Sequence, residues 1–146
     1  MRDTLPPKES AAAPVSADYV GITHASVLVR NLETSLAFYC GVLGMTLEKT
    51  RPDLGYPGAW LHVGAQQIHL LELPNPDPVS DRPSHAGRDR HTAVHIRRLD
   101  PLRDALARAG IAYTLSRSGR RALFCRDPDG NGMEFIETPA PPKLRP

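Results

Sequence analysis

The sequence predicts an α+β fold built from two tandem βαβββ modules. Three observations carry this: an internal repeat, an order of strand-like and helix-like segments that runs twice along the chain, and turn residues at matching places. The repeat opens with THASVLVRNLE at 23–33 and returns as RHTAVHIRRLD at 90–100. Laying His24 on His91, a shift of 91 − 24 = 67, puts Val27 on Val94, Val29 on Ile96, Arg30 on Arg97, Leu32 on Leu99 and Glu33 on Asp100. One matched pair would carry nothing. A matched polar and apolar rhythm that runs into a matched helix entry marks a repeated unit.

Each element has its own local reason. From Val20 to Arg30, Ile22, His24, Ser26 and Leu28 share one face and Ala25, Val27 and Val29 the other, the alternation of a strand. In NLETSLAFYCGVLG, Asn31 is a helix cap, Leu32, Leu36, Tyr39 and Leu43 lie near helical spacing, and Gly44 is placed to end the helix. MTLEKTRP, GAWLHVG and QQIHLLELP follow as short strands, punctuated by Gly55, Pro57, Gly58 and Gly64. Residues 74–90, rich in Pro, Asp, Ser and Gly, form a connector without periodicity. The order then repeats. HTAVHIRR reads as a strand and LDPLRDALARAG as a helix, with Asp100 near its start, Pro101 in its first turn and Gly110 at its end. IAYTLSRSG, RRALFCRD and NGMEFIET read as strands, and DPDG at 127–130 is a strong turn signal.

Composition narrows the function classes. The chain has 146 residues and a formal net charge of +2, which suits one domain and points to neither nucleic acid nor an anionic membrane. The arginine pairs Arg88/Arg90, Arg97/Arg98 and Arg120/Arg121 read either as solvated surface or as contacts to an anionic substrate. No run approaches the roughly 18 apolar residues of a membrane span. The N-terminal stretch lacks the apolar core of a secretory signal, and Cys40 and Cys125 have no metal-ligand or redox spacing. A cytoplasmic protein with structural thiols is expected. Residues 1–18 read as a flexible arm and 139–146 as a tail.

The repeat extends to the last strand of each unit. His69 of QQIHLLEL falls on Glu134 of NGMEFIET, a shift of 134 − 69 = 65. The change from 67 to 65 needs only a loop two residues shorter. Each unit therefore carries one potential metal ligand on its first strand and one on its last: His24 and His69, then His91 and Glu134. All four are good ligand types for a divalent ion.

These residues resemble a known family. The H-x-x-x-x-V-x-x-L opening, SLAFYCGVLGM and the closing DPDGNGMEFIE are similar to the vicinal oxygen chelate superfamily, which includes glyoxalase I, methylmalonyl-CoA epimerase, fosfomycin-resistance enzymes, extradiol dioxygenases and bleomycin-binding proteins. The resemblance covers about residues 20–138. It implies a single domain at 19–138, with modules at 19–73 and 91–138 joined by the 74–90 connector. It also implies a cupped, incomplete mixed β-barrel with the helices outside, and a homodimer. One divalent metal ion (Ni, Zn, Co, Mn or Fe) is implied at His24, His69, His91 and Glu134. The substrate is then a small molecule with adjacent oxygens. Where glyoxalase I has Glu and the epimerase Gln on the last strand of the first unit, His69 stands here.

The reading that follows is a metal-dependent lyase or isomerase of glyoxalase I or epimerase type. The metal polarises the substrate oxygens while Glu134 acts as base toward a carbon-bound proton. An extradiol ring-cleaving dioxygenase is the alternative, using His24, His91 and Glu134 as an iron triad and leaving His69 a bystander. Epoxide opening, as in fosfomycin resistance, would use the same three ligands. A metal-free ligand-sequestering protein is the non-enzymatic reading. For substrate contacts the sequence offers His95, four residues after His91 and on the same strand face, with Trp60, His62, Arg88 and Arg90. His95 and Trp60 also admit plain structural roles. His85, in the connector, is expected at the surface, and Glu72 on the strand face opposite His69.

Overall fold

A computed structural model of the chain describes residues 20–138; the arm at 1–18 and the tail at 139–146 lie outside the described residues. The first module runs β1 (His24–Val29), α1 (Leu32–Leu36), a π-helical segment (Ala37–Val42), β2 (Thr46–Leu47), β3 (Gly58–Val63) and β4 (Gln66–Glu72). A short 3-10 turn at Ala86–Arg88 interrupts the connector. The second module runs β5 (His91–Ile96), α2 (Asp100–Arg108), β6 (Tyr113–Leu115), β7 (Ala122–Arg126) and β8 (Gly132–Glu137). The two four-stranded sheets have orders β1-β4-β3-β2 and β5-β8-β7-β6, so the modules share one topology. Both sheets are mixed and open, and neither closes into a barrel.

The ladders carry the repeat at residue level. In the parallel β1–β4 pair, His24 lies opposite Gln67 and Ser26 opposite His69. In β5–β8, His91 lies opposite Gly132 and Ala93 opposite Glu134. The shifts of 91 − 24 = 67 and 134 − 69 = 65 are therefore those of the hydrogen-bonded registers. Because strand side chains alternate, this register sets which residues reach which face. One face of each sheet feeds a continuous core: Val29, Leu61, Ile68 and Leu70 from the first, Leu123, Met133 and Phe135 from the second, with Phe38, Tyr39, Leu102 and Leu106 from the helical segments. Val27, Val94 and Ile96 pack against it, on the face away from the ligand residues.

The helix entries are built alike. Asn31 caps α1 by accepting from the Thr34 amide at 2.8 Å. Glu72 at the end of β4 accepts from the Leu32 amide at 2.7 Å, and Glu137 at the end of β8 accepts from the Leu99 amide at 2.8 Å. These pairs again differ by 99 − 32 = 67 and 137 − 72 = 65. A carboxylate at a helix N-terminus satisfies orphan amides and faces the positive end of the dipole. Asp100, expected near the start of α2, makes no side-chain cap there. The first helix also departs from uniform 3.6-residue spacing. It widens into a π turn, with the Leu43 amide bonded to the Phe38 carbonyl, and Phe38 and Tyr39 both turn inward. Gly44 and Gly110 end the two helices with φ of 71° and 66°, values that favour glycine.

The DPDGNG segment does more than turn the chain. Asp127 and Asp129 are buried. Tyr39 donates its hydroxyl to Asp127 Oδ2 at 3.0 Å, Asn131 Nδ2 donates to the Leu28 carbonyl at 3.0 Å, and the Arg30 amide donates to Asp129 Oδ2 at 3.1 Å. Three groups of the first module are thereby tied to one turn of the second.

Candidate functional site

The four ligand-type residues form two pairs. On the first sheet, the His24 and His69 rings stack with centroids 4.0 Å apart and planes within 9°. Trp60, directly across the β3–β4 ladder from His69, stacks on its other side at 4.7 Å. The column Trp60–His69–His24 thus covers the sheet face opposite the core. His69 Nε2 donates to Gln67 Oε1 at 2.9 Å, and His24 Nδ1 lies 3.0 Å from the Thr23 hydroxyl. Burial lowers the pKa of His69, helped by the charges of His24 and Arg51. A neutral imidazole is the form that binds metal.

On the second sheet, His91 Nε2 lies 3.2 Å from Glu134 Oε2. His91 Nδ1 is 2.8 Å from the Asp89 carbonyl oxygen, which can only accept, so Nδ1 carries the hydrogen. Nε2 then presents a lone pair to a carboxylate oxygen. Two facing acceptors require either a shared proton or a cation between them. This is also how a ligating histidine is usually held, with its second nitrogen donating to a backbone carbonyl. Gly132, opposite His91, permits the close approach: a Cβ there would lie 2.8 Å from the Arg90 carbonyl and 2.9 Å from the His91 Cβ.

Glu134 is only 4% exposed, and its other oxygen, Oε1, accepts from Arg120 at 3.4 Å. Arg120 stands on the β6–β7 hairpin, where its Nε donates to Ser118 Oγ. In the sequence Arg120 reads only as half of an arginine pair, and nothing there marks Asp89. The Asp89 carboxylate accepts from Arg82 and Arg126, and the Arg82 bonds above all depress its pKa to about 2. Those bonds fix Asp89, whose backbone carbonyl orients the His91 imidazole.

The remaining expected contacts are spread more widely. His95 is exposed on the same face of β5 as His91. His62 is on the face of Trp60 but pairs with Glu48 Oε2 at 3.0 Å. Arg90 pairs with Asp77 at 2.8 Å, and Arg88 is exposed with no carboxylate partner among the described residues. His85 corrects the surface expectation: it is half-buried, 2.7 Å from the Thr114 hydroxyl and edge-on to Phe124, which His91 also meets edge-on. The connector therefore folds back across the second sheet. Cys40 and Cys125 are free thiols, and burial pushes the Cys125 thiol up to about 12.

One chain does not bring the two pairs together. Among the described residues, no group of three or more His, Cys, Asp or Glu side chains is placed to hold one ion. A hollow of about 650 Å³ beside Leu28, Arg30, Glu72, Val79 and Asp129 contains none of the four residues. A smaller one of about 250 Å³ lies between the edge strands β1 and β5 and takes in Ser26, Arg90 and His91. The donors nevertheless fit a divalent ion: three imidazoles and a carboxylate, in two half-sites at equivalent positions of the two sheets. No helix of the described residues is long and apolar enough to cross a membrane.

Comparison with known proteins agrees with this architecture. The family model described as the Glyoxalase/Bleomycin resistance protein/Dioxygenase superfamily matches residues 21–135. Glyoxylase I 4 of Arabidopsis thaliana is 30% identical over 133 residues, covering 88% of this chain and 75% of its own. A Bacillus anthracis structure described as of the glyoxalase family is 26% identical, with a TM-score of 0.70, over 85% of this chain and all of the other. The fosfomycin resistance protein FosX of Listeria monocytogenes, solved as a mutant complexed with Mn(II) and 1S,2S-dihydroxypropylphosphonic acid, shares the fold. It matches at 16% identity and a TM-score of 0.64, over 84% of this chain and 95% of its own.

Proposed function

Because the chain belongs to the glyoxalase/bleomycin resistance protein/dioxygenase superfamily, we propose that it is a divalent-metal-dependent lyase or isomerase of glyoxalase I or epimerase type. Its substrate is a small molecule with adjacent oxygens. The observation that carries this reading is the His91–Glu134 pair, with Nε2 3.2 Å from Oε2 and Nδ1 held by a backbone carbonyl, together with the His24–His69 pair at the equivalent register of the other sheet. His24, His69, His91 and Glu134 would hold the ion (Ni, Zn, Co, Mn or Fe). When bound, it would supply Lewis acidity toward two neighbouring substrate oxygens.

Each chain offers half of that set on each of two sheets. A two-fold homodimer completes both, with His24 and His69 of one protomer facing His91 and Glu134 of its partner. Glu134 is the base. Its oxygens point to different partners, so one can take the substrate proton while Arg120 holds the other. Trp60 walls the cleft, and His95 lines it beyond His91. Free thiols suit the reducing cytoplasm, where we place the protein.

A second reading is favoured by His69. Its stacking and its bond to Gln67 account for it without any metal. Three ligands, His24, His91 and Glu134, would then form the two-histidine, one-carboxylate set of iron oxygenases.

Elemental analysis of protein purified without added metal or chelator tests both. About one equivalent per chain of nickel, zinc, cobalt or manganese, lost in Glu134→Ala, supports the first reading. Iron, retained in His69→Ala, supports the second. If no metal is present and none is taken up on titration, the site is wrongly assigned and a ligand-sequestering protein remains.

A further inference from the structure

Arg51 is a cation out of place. The other half-buried arginines among the described residues, Arg82 and Arg126, share the Asp89 carboxylate. Arg51 is half-buried too, and has no carboxylate partner among the described residues. Its terminal nitrogens donate to the Pro52 and Tyr56 carbonyls, at 3.3 and 3.2 Å; its Nε, like that of Arg82, is buried without a partner, so the missing carboxylate is what sets Arg51 apart. Withdrawing a guanidinium from water without a counter-charge is unfavourable, and buried orphan donors are rare.

Its position is set by Gly58. A Cβ at Gly58 would meet the Leu70 carbonyl oxygen of β4 at 2.5 Å and Arg51 Nη2 at 3.0 Å, so the guanidinium packs over the β3–β4 ladder on the side toward which residue 58 faces. Trp60, two residues on, faces the same side and stacks on His69. Two strand residues span about 7 Å. Arg51 therefore stands roughly that far along the floor of the His24/His69 half-site from Trp60. The charge of Arg51 is also felt at His69. The Tyr56 ring lies 5.2 Å from the guanidinium carbon, which helps fix the group in place.

We propose that Arg51 anchors an oxyanion of the substrate, so that the preferred substrate class carries a carboxylate-type group a few bonds from its chelating oxygens. This rests on the metal-site reading above. Arg120 is a poorer anchor, since Glu134 already partners it. Arg51 holds its charge in place, fixed by two carbonyls and the Tyr56 face, with no carboxylate among the described residues to neutralise it.

The test compares two chelators with the same head. Acetohydroxamate presents two adjacent oxygens and no further charge; succinic acid monohydroxamate adds a tail carboxylate. Both are titrated calorimetrically into the full chain loaded with manganese, and the ratio of their affinities is the readout. Wild type is expected to prefer the carboxylated probe by about tenfold or more, as for a charge-assisted pair out of bulk water. The ratio should fall to about one in Arg51→Met, remain partly in Arg51→Lys, and persist in Arg108→Met, at the exposed end of α2. Thermal unfolding checks that each variant folds, and Arg51→Gln replaces Arg51→Met if the latter does not. A wild-type ratio near one, or an unchanged ratio in the neutral Arg51 variant, overturns the anchor while leaving the metal site standing. Failure to take up manganese at all overturns both.

Discussion

The separation of the two ligand pairs within one chain makes a quantitative prediction. Let one variant carry His24→Ala and His69→Ala, and a second carry His91→Ala and Glu134→Gln. Gln is chosen because position 134 is 4% exposed and its neighbour Arg120 needs an acceptor. In a shared-site dimer each variant alone has no intact site, since every site lacks one half. When the two are co-refolded in equal amounts, half of the dimers are mixed. Each mixed dimer joins the intact first module of one protomer to the intact second module of the other, and so regains one site of two. Metal binding should then recover to about one quarter of wild type, half the dimers times half the sites, as two-fold symmetry requires. The assay is metal per chain by elemental analysis on the gel-filtered dimer fraction, with each variant alone as baseline. If mixed dimers form and recovery stays at baseline, the sites are not shared between protomers. If either variant alone retains a full equivalent, the ligand assignment is wrong.

The clasp between the modules and the support under His91 give two further expectations. Tyr39→Phe removes one of four hydrogen bonds to the buried Asp127 carboxylate and should cost about 1.5–3 kcal/mol near pH 7, as for bonds to charged groups. Burial raises the Asp127 pKa, so its native form binds its proton more tightly than the unfolded chain does. The ionised group is what needs Tyr39, and the cost measured by urea unfolding should therefore shrink as pH falls through that raised value; a small, pH-independent cost would contradict this. Asp89 has the opposite sign. Its folded pKa of about 2 is depressed, chiefly by Arg82. The stability it contributes is present above the unfolded value of about 3.9 and is lost as pH falls toward 2. Asp89→Asn should flatten the acid limb of the stability curve and weaken metal uptake through His91; an unaltered acid limb would refute the role.

Much of the fold was legible because its causes are local. Strand alternation, Asn31 as a cap, Gly44 and Gly110 as stops, and the DPDG turn depend on a few neighbouring residues. The repeat did the rest: shifts of 67 and 65, read from His24, His69, His91 and Glu134, are those of the sheet ladders. What stayed hidden involves partners far apart in sequence. Glu72 looked like a residue without a task, and it caps a helix 40 positions away. His85 looked exposed until the connector folded onto Phe124. Arg51 is hidden for another reason: Pro52, Tyr56 and Gly58 are near it in sequence, but the irregular path of the loop that closes them around it follows no periodic pattern.

Local sequence was enough for the two modules and their register, because pleat, caps and turns act over a few residues. That His24, His69, His91 and Glu134 remain two pairs in one chain follows from long-range packing instead. Which faces of the modules meet depends on how they are mounted against each other. That mounting comes from Tyr39, Leu28 and Arg30 meeting Asp127, Asn131 and Asp129, contacts spanning about a hundred residues that no local pattern encodes.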